Sequence, residues 1–253
     1  MKYNVEYACL CNKGKVRKEN QDNFWCMGKY LESRNDGLLL PFFGVADVDE
    51  SPAFAVFDGI GGEQCGEMAA YLAAFEFNKF FNEFGKKNTE FFLNFLCSEM
   101  NENICNYAEE NKILSMGTTA AIIMFAKTFA FICNLGDSKI YKFSNSSLAQ
   151  ISQDHVTKSF YGGRKPALTQ CLGIPEDEFV INPYIAEEKC SEGDRFLICS
   201  DGLTDMLSED EIKLILSQNN RISDCAESLM NAALDNGGID NITIILCEYL
   251  KEN

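Results

Sequence analysis

Four apolar runs in this chain meet an aspartate at one end. AFAVF runs into Asp58-Gly59, FAFICNL into Gly136-Asp137, and RFLICS into Asp201-Gly202, while Asp240-Asn241 opens ITIILCEYL. One such aspartate alone reads as a turn former, because Asp stops strands and caps turns. Four of them suggest that strand ends deliver carboxylates to one place. The adjoining glycines permit close backbone approach and unusual dihedral angles. Gathered carboxylates repel one another unless they share cations. Hard oxygen donors without clustered His or thiolate select Mg²⁺ or Mn²⁺ over Zn²⁺. A binuclear site of that kind lowers the pKa of bound water and stabilises in-line attack at phosphorus. Spacing alone does not prove that the four converge.

The rest of the chain supplies a scaffold for them. Residues 3–11 and 53–57 read as strands, and residues 63–84 and 89–111 carry apolar residues at helical spacing. In the first helix that stripe is Met68, Tyr71, Leu72, Phe75, Phe80 and Phe84, read as core-facing. GTTAAIIMF, FAFICNL, KIYKF and LAQIS follow as a meander of short β-type runs. RFLIC makes a further strand, helices follow at 208–217 and 221–235, and ITIILCEYL closes the chain. Residues 28–52 and 156–192 read as long irregular loops. The order of elements implies an α+β fold with helices packed outside antiparallel sheets. With no linker or internal repeat, residues 1–253 read as a single domain.

Charge and cysteine content narrow the functional classes. The net charge of −16 argues against a nucleic-acid partner, whose binding depends on basic contacts to phosphates. Twelve cysteines include no C-x-x-C pair, and the single His, His155, stands apart from them. Several lie in apolar runs, where free Cys acts as a small hydrophobe. The start of the sequence lacks a signal-peptide pattern and no segment is apolar enough to span a bilayer, so a reduced, cytoplasmic setting is expected.

Further short motifs occur in a fixed order around the four acids. They are Arg17-x-x-Asn20-Gln21-Asp22, Phe57-Asp58-Gly59-x-Gly61-Gly62, Gly117-Thr118-Thr119, Asn134-x-Gly136-Asp137-Ser138-x-x-Tyr141 and Gln153-Asp154-His155. Leu168-Thr169-Gln170-x-Leu172-Gly173, Cys199-Ser200-Asp201-Gly202-Leu203-Thr204-Asp205 and Asp240-Asn241-Ile242-Thr243 complete the series. This series resembles the metal-dependent protein phosphatase 2C family of serine/threonine phosphatases, in particular its bacterial branch. The likeness runs from about residue 12 to residue 249.

The resemblance implies a four-layer α-β-β-α sandwich, two central antiparallel β-sheets flanked by helix pairs. It implies two Mn²⁺ or Mg²⁺ ions bridged by Asp58, with the Gly59 carbonyl in the shell and Asp201 and Asp240 completing one ion. Asp22 then acts through metal-bound water, and Asp137 with Asp201 holds a third, weaker ion. Arg17 grips the substrate phosphate, a role suited to a guanidinium fork that stays charged at any working pH. A hydroxide held between the metals attacks phosphoserine or phosphothreonine without a phosphoenzyme. Phosphorylated proteins, and a cognate serine/threonine kinase with its targets, are the implied partners of a monomeric, cytoplasmic enzyme.

Two departures from the family pattern stand out. Ile60 occupies a place where many eukaryotic relatives carry a His able to donate a proton. The segment from Val156 to Ala167 is short where relatives carry a longer flap, which implies an open cleft; Gly162, Gly163, Arg164 and Lys165 within it form either a basic patch or a plain turn. The other histidine in play, His155, reads as a structural hydrogen-bonding group beside Asp154. The competing reading is a catalytically weak or inactive phosphatase-like module that binds a regulatory partner; retention of Asp58, Asp201, Asp240 and Arg17 speaks against it.

Overall fold

The computed structural model describes residues 2–60, 65–84, 89–158, 166–218 and 221–252, with the side chains of Phe84 and Thr89 left aside. Two antiparallel sheets form its centre. The first takes β1 (Tyr3–Asn12), β3 (Phe42–Asp47), β7 (Lys139–Ser144), β8 (Ser147–Gln150), β10 (Arg195–Cys199) and β11 (Ile242–Lys251), in the spatial order β3-β1-β11-β10-β7-β8. The second takes β2 (Asp22–Cys26), β4 (Ala53–Asp58), β5 (Ala120–Ala126), β6 (Phe129–Leu135) and β9 (Tyr184–Lys189), in the order β2-β4-β5-β6-β9. β1 and β11 pair along their whole length, from Tyr3 opposite Lys251 to Asn12 opposite Ile242.

The strands read as unbroken apolar runs because both of their faces are covered. Along β4 the side chains alternate: Phe54 and Val56 point between the sheets, while Ala53, Ala55 and Phe57 face α1 (Gly66–Phe84) and α2 (Thr89–Asn111). β11 divides the same way. Ile245, Cys247 and Tyr249 lie between the sheets, and Ile244 and Leu246 meet α4 (Glu209–Leu216) and α5 (Ile222–Asp235). Four layers result, α1/α2, sheet, sheet and α4/α5, with a one-turn α3 (Asp201–Thr204) at the strand ends. Helices, sheets and layering therefore follow the expectation. α4 opens with a capping box in which Ser208 and Glu211 satisfy each other's backbone N–H groups.

Several boundaries differ. α1 begins at Gly66, and residues 63 and 64 of the expected helix lie outside the described residues. Its buried face is Ala69, Ala70, Ala73, Ala74, Phe77 and Phe80, whereas Phe75 is 40% exposed. Small side chains let the helix lie close to the sheet, and that stripe outranked the aromatic one. The segments read as irregular contain β3, a 3₁₀ turn at Val48–Glu50, and β9. Both strands sit at sheet edges, where burial is incomplete and the apolar signal is weak. β2, at the other edge of the second sheet, is a further strand to which the sequence pattern gave no assignment. All twelve cysteines are free thiols; Cys9 and Cys11 share the inter-sheet face, as their alternation suggested.

Candidate active site

The two sheets open at one end, and there the strand-end acids meet. A cleft of about 320 Å³ is lined by Arg17, Asp58, Gly59, Ile60, Asp137, Asp201 and Asp240, with Gln21, Thr119 and Leu168 completing the wall. Asp58 is the last residue of β4; its backbone N–H donates to Thr119 Oγ1 at 3.1 Å, and its carbonyl accepts from the Thr119 N–H at 2.9 Å. Thr119 Oγ1 is in turn 2.6 Å from Ser138 Oγ, next to Asp137. Gly59 is there because nothing larger fits: a Cβ would lie 2.3 Å from the Gly66 carbonyl oxygen and 2.6 Å from that of Gln21. Asp201 stands at the start of α3, and Thr204 Oγ1 donates to its carbonyl at 3.3 Å.

Arg17 reaches the cleft from the other side and donates through Nη2 to Asp240 Oδ2 at 2.7 Å. Its loop is held by Asn241. That side chain donates to the Lys13 and Glu19 carbonyls at 2.8 and 2.9 Å and accepts from the Gln21 N–H at 2.8 Å. The residue beside the acid thus positions the arginine, a role that sequence reasoning did not assign. A buried Asn next to a candidate ligand was the available signal.

Asp22 does not line the cleft. It lies beneath it, 2% exposed and directly opposite Asp58 in the β2–β4 ladder. Its Oδ2 accepts from Ser200 Oγ at 2.7 Å and Thr243 Oγ1 at 2.8 Å, which ties the two sheets together. Its Oδ1 is buried with no hydrogen-bond partner among the described residues. Burial is the main cause pushing the Asp22 carboxyl up to about 7, against the two hydroxyl donors and with repulsion from Asp201 and Asp240. Asp58 is raised well above the usual carboxylate range, first by burial and then by repulsion from Asp22, Asp201, Asp137 and Asp240.

The remaining candidates fall into place around this centre. His155 is buried; its Nδ1 accepts from the Gly136 N–H at 3.3 Å, and burial lowers its pKa, so it is a neutral structural group. Asp154 bonds to Lys139 and Gln150. Ile60 forms an apolar wall, its N–H bonded to the Gly117 carbonyl at 3.0 Å. Gly61, Gly62, Gly162, Gly163, Arg164 and Lys165 lie outside the described residues. At the base of the short segment, Val156 bridges Leu168 and thereby brings Leu168 to the cleft.

The donor set suits hard divalent cations. Among the described residues lining the cleft, every ionisable group apart from Arg17 is an aspartate, and Arg17 pairs with Asp240. The orphaned Asp22 oxygen beneath is the acceptor that a water in a cation's shell would satisfy. Among the described residues no three His, Cys, Asp or Glu side chains close around one ion unaided. Carbonyl oxygen and water must complete each shell, as Mg²⁺-type ions prefer.

Comparison with known proteins agrees in extent. Residues 42–237 match the family model described as protein phosphatase 2C. The chain is 29% identical to the serine/threonine phosphatase stp of Listeria welshimeri serovar 6b, over 94% of this chain and 93% of that protein. It is 29% identical to the protein phosphatase PhpP of Streptococcus pneumoniae, over 98% of this chain and 99% of that protein. The crystal structure of the catalytic domain of the serine/threonine protein phosphatase PstP, in complex with two manganese ions, superposes with a TM-score of 0.78. That domain is 24% identical and the match covers 98% of this chain and all of that one, a likeness of fold.

Proposed function

The chain belongs to the protein phosphatase 2C family, and from that premise we propose that it is a metal-dependent serine/threonine protein phosphatase acting through the cleft around Asp58. The observation that carries this reading is the convergence of Asp58, Asp137, Asp201 and Asp240 with Arg17 in one cleft, over the buried Asp22. The Listeria relative is named a serine/threonine phosphatase and the Streptococcus relative a protein phosphatase, and the PstP domain was crystallised with two manganese ions, which supports Mn²⁺ or Mg²⁺ as the ions here.

In this reading Asp58, the Gly59 carbonyl, Asp201 and Asp240 would hold two divalent ions, and Asp22 would act from below through water. Asp137 with Asp201 offers a weaker third position. When bound, the ions supply an activated water and offset charge on the phosphoryl oxygens. Arg17 orients the phosphate through its planar fork. Its bond to Asp240 occupies one nitrogen and holds the guanidinium at the cleft, leaving its other N–H donors for a phosphate oxygen. Ile60 has no proton to give, so the leaving alkoxide takes its proton from water. Aryl phosphates, whose leaving groups are better, suffer least from this. Among the described lining residues the one hydroxyl is that of Thr119, which is engaged by the Asp58 N–H and Ser138 Oγ, in keeping with direct hydrolysis.

The finer attributes follow from the same reading. The chain is treated as one catalytic domain, because both sheets contribute acids to the site. Phosphorylated proteins and their kinase are its partners, and a monomer suffices because the described chain holds all the proposed groups. Among the described residues no helix is long and apolar enough to cross a membrane. Twelve free thiols favour a reducing, cytoplasmic setting. The test is hydrolysis of p-nitrophenyl phosphate and of a phosphothreonine peptide with Mn²⁺ against chelator. Metal-dependent turnover of both is expected; turnover of neither overturns the reading.

A further inference from the structure

A second cleft, of about 300 Å³, adjoins the first. Lys18, next in sequence to Arg17, lines it, as does Glu67, whose Oε2 accepts from Gln21 Nε2 of the catalytic cleft at 3.4 Å. The far wall is residues 33–36, and this loop is built to hold one shape. Buried Asn20 donates to Asn35 Oδ1 at 2.7 Å, and the same oxygen accepts from the Gly37 N–H at 3.0 Å. Gly37 adopts φ +96°, and a Cβ there would lie 2.2 Å from the Cys11 carbonyl oxygen. Asn35 Nδ2 donates to the Glu32 carbonyl at 2.9 Å. The effect is to hold the loop that carries Arg34 in the wall of a cleft that Lys18, the residue after Arg17, also lines.

The charges in that cleft are unequally committed. Asp36 is paired with Lys13 at 2.5 Å, and Glu67 accepts from Gln21. Among the described residues neither Lys18 nor Arg34 is in an ion pair, in a chain with 38 acids against 22 Lys and Arg. Glu19 is the one acid of the lining without a bonded side-chain partner among the described residues. A net charge of −16 repels anionic substrates at long range. Lys18 and Arg34 set two positive charges beside the proposed phosphate site, alongside Glu19 and Glu67 of the same lining.

We infer that Lys18 and Arg34 form a substrate subsite for an anionic side chain close in sequence to the phosphorylated residue. This rests on the phosphatase reading and names the substrate class that the same site prefers. A carboxylate and a second phosphoryl group offer the same oxygen donors, and an Arg fork accepts either. An extended peptide advances about 3.3 Å per residue, so the matching position lies a few residues from the phosphothreonine.

The experiment uses phosphothreonine peptides carrying Glu, Ala, Lys or a second phosphothreonine two to four residues to either side. KM and kcat are measured with Mn²⁺ at low and at high salt, with p-nitrophenyl phosphate as a substrate too small to reach the subsite. The anionic peptides should show a KM about fivefold below that of the Ala peptide, an advantage that shrinks in high salt. Arg34→Ala and Lys18→Ala should erase the advantage while leaving kcat and p-nitrophenyl phosphate hydrolysis unchanged. Arg34→Glu should shift the preference to the Lys peptide. A preference of Glu over the doubly phosphorylated peptide, or the reverse, identifies the anion.

Equal KM values across the series, or variants that alter all peptides alike, overturn the subsite. A wild-type preference for the Lys peptide also overturns it and assigns the cleft to Glu19. Fluorescence anisotropy of the same labelled peptides makes the test independent of turnover. Arg34-dependent binding without any hydrolysis would preserve the subsite and remove the phosphatase reading instead.

Discussion

β10 and β11 run side by side through the first sheet, and each end of the pair carries a buried charged cluster. At one end Arg195 and Glu248 stand directly opposite in the ladder and bond through Nε at 3.2 Å. Arg195 Nη1 also donates to the Leu216 and Gln218 carbonyls at 2.9 and 3.1 Å, closing the C-terminal end of α4. At the other end Ser200 and Thr243 support Asp22, which faces not a cation but Asp58. Opposite charges across a ladder stabilise it and like charges weaken it. The first cluster is complete within the chain. The second is an arrangement that folding alone would not favour, and its deficit is positive charge.

The sharpest way to break this contrast is Asp58→Asn. With several kcal/mol of charge stabilisation removed at the proposed bridging position, activity should fall by about a thousandfold or more. The metal-free variant should nevertheless melt at or above the temperature of the parent chain, because a repulsive carboxylate is gone. Near-normal turnover would dissolve the distinction between the two ends. The reverse experiment is Arg195→Ala. It strands Glu248 and two carbonyls, and chemical denaturation should show a loss of about 3–5 kcal/mol in stability. Turnover per folded molecule should be unchanged; a specific loss of kcat would mean that this end also serves the reaction.

Proton linkage separates the ends more gently. The folded Asp22 carboxyl titrates at about 7, far above the ordinary range. Between about pH 4 and 7 the folded chain therefore binds more protons than the unfolded chain, and stability falls as pH rises through that window. Thermal melts in chelator should drop from pH 5 to pH 8 by an amount on the order of a few kcal/mol, and Mn²⁺ should restore the loss at pH 8. A flat profile would show that the carboxylates are already compensated. The smallest effect is Ser200→Ala, which removes one donor to Asp22 and should cost about 1–2 kcal/mol in denaturation midpoint experiments with chelator.

The legible part of the molecule was its chemistry more than its edges. Asp58, Asp137, Asp201 and Asp240 stood out because each borders an apolar run; singly each reads as a turn former, and only the recurrence of four pointed to a shared site. β9, with the sequence YIAEEK, and β3, interrupted by Gly44, gave no comparable signal; an edge strand is half solvated and its pattern is set by neighbours distant in sequence. In α1 the stripe read from the sequence holds at Met68, Leu72 and Phe80 and fails at the exposed Phe75, since close helix–sheet packing gave most of the buried face to alanines. The positioning roles of Asn20, Asn241 and Thr119 were hidden for a similar reason. Each depends on groups that only the folded chain brings near: the Asn35 side chain 15 residues from Asn20, and the Gln21 N–H 220 residues from Asn241.

The full-length pairing of β1 with β11 has a consequence for the order of events during synthesis. Tyr3 finds its partner only at Lys251, and the loop bearing Arg17 is tethered only when Asn241 is in place. A nascent chain therefore emerges with its first strand lacking one neighbour and its proposed phosphate-binding arginine untethered until β11 has been made. Contacts of such long sequence separation form late and slowly. A ribosome-bound or C-terminally truncated chain lacking β11 should bind no phosphate analogue, so catalytic competence arrives with the last strand.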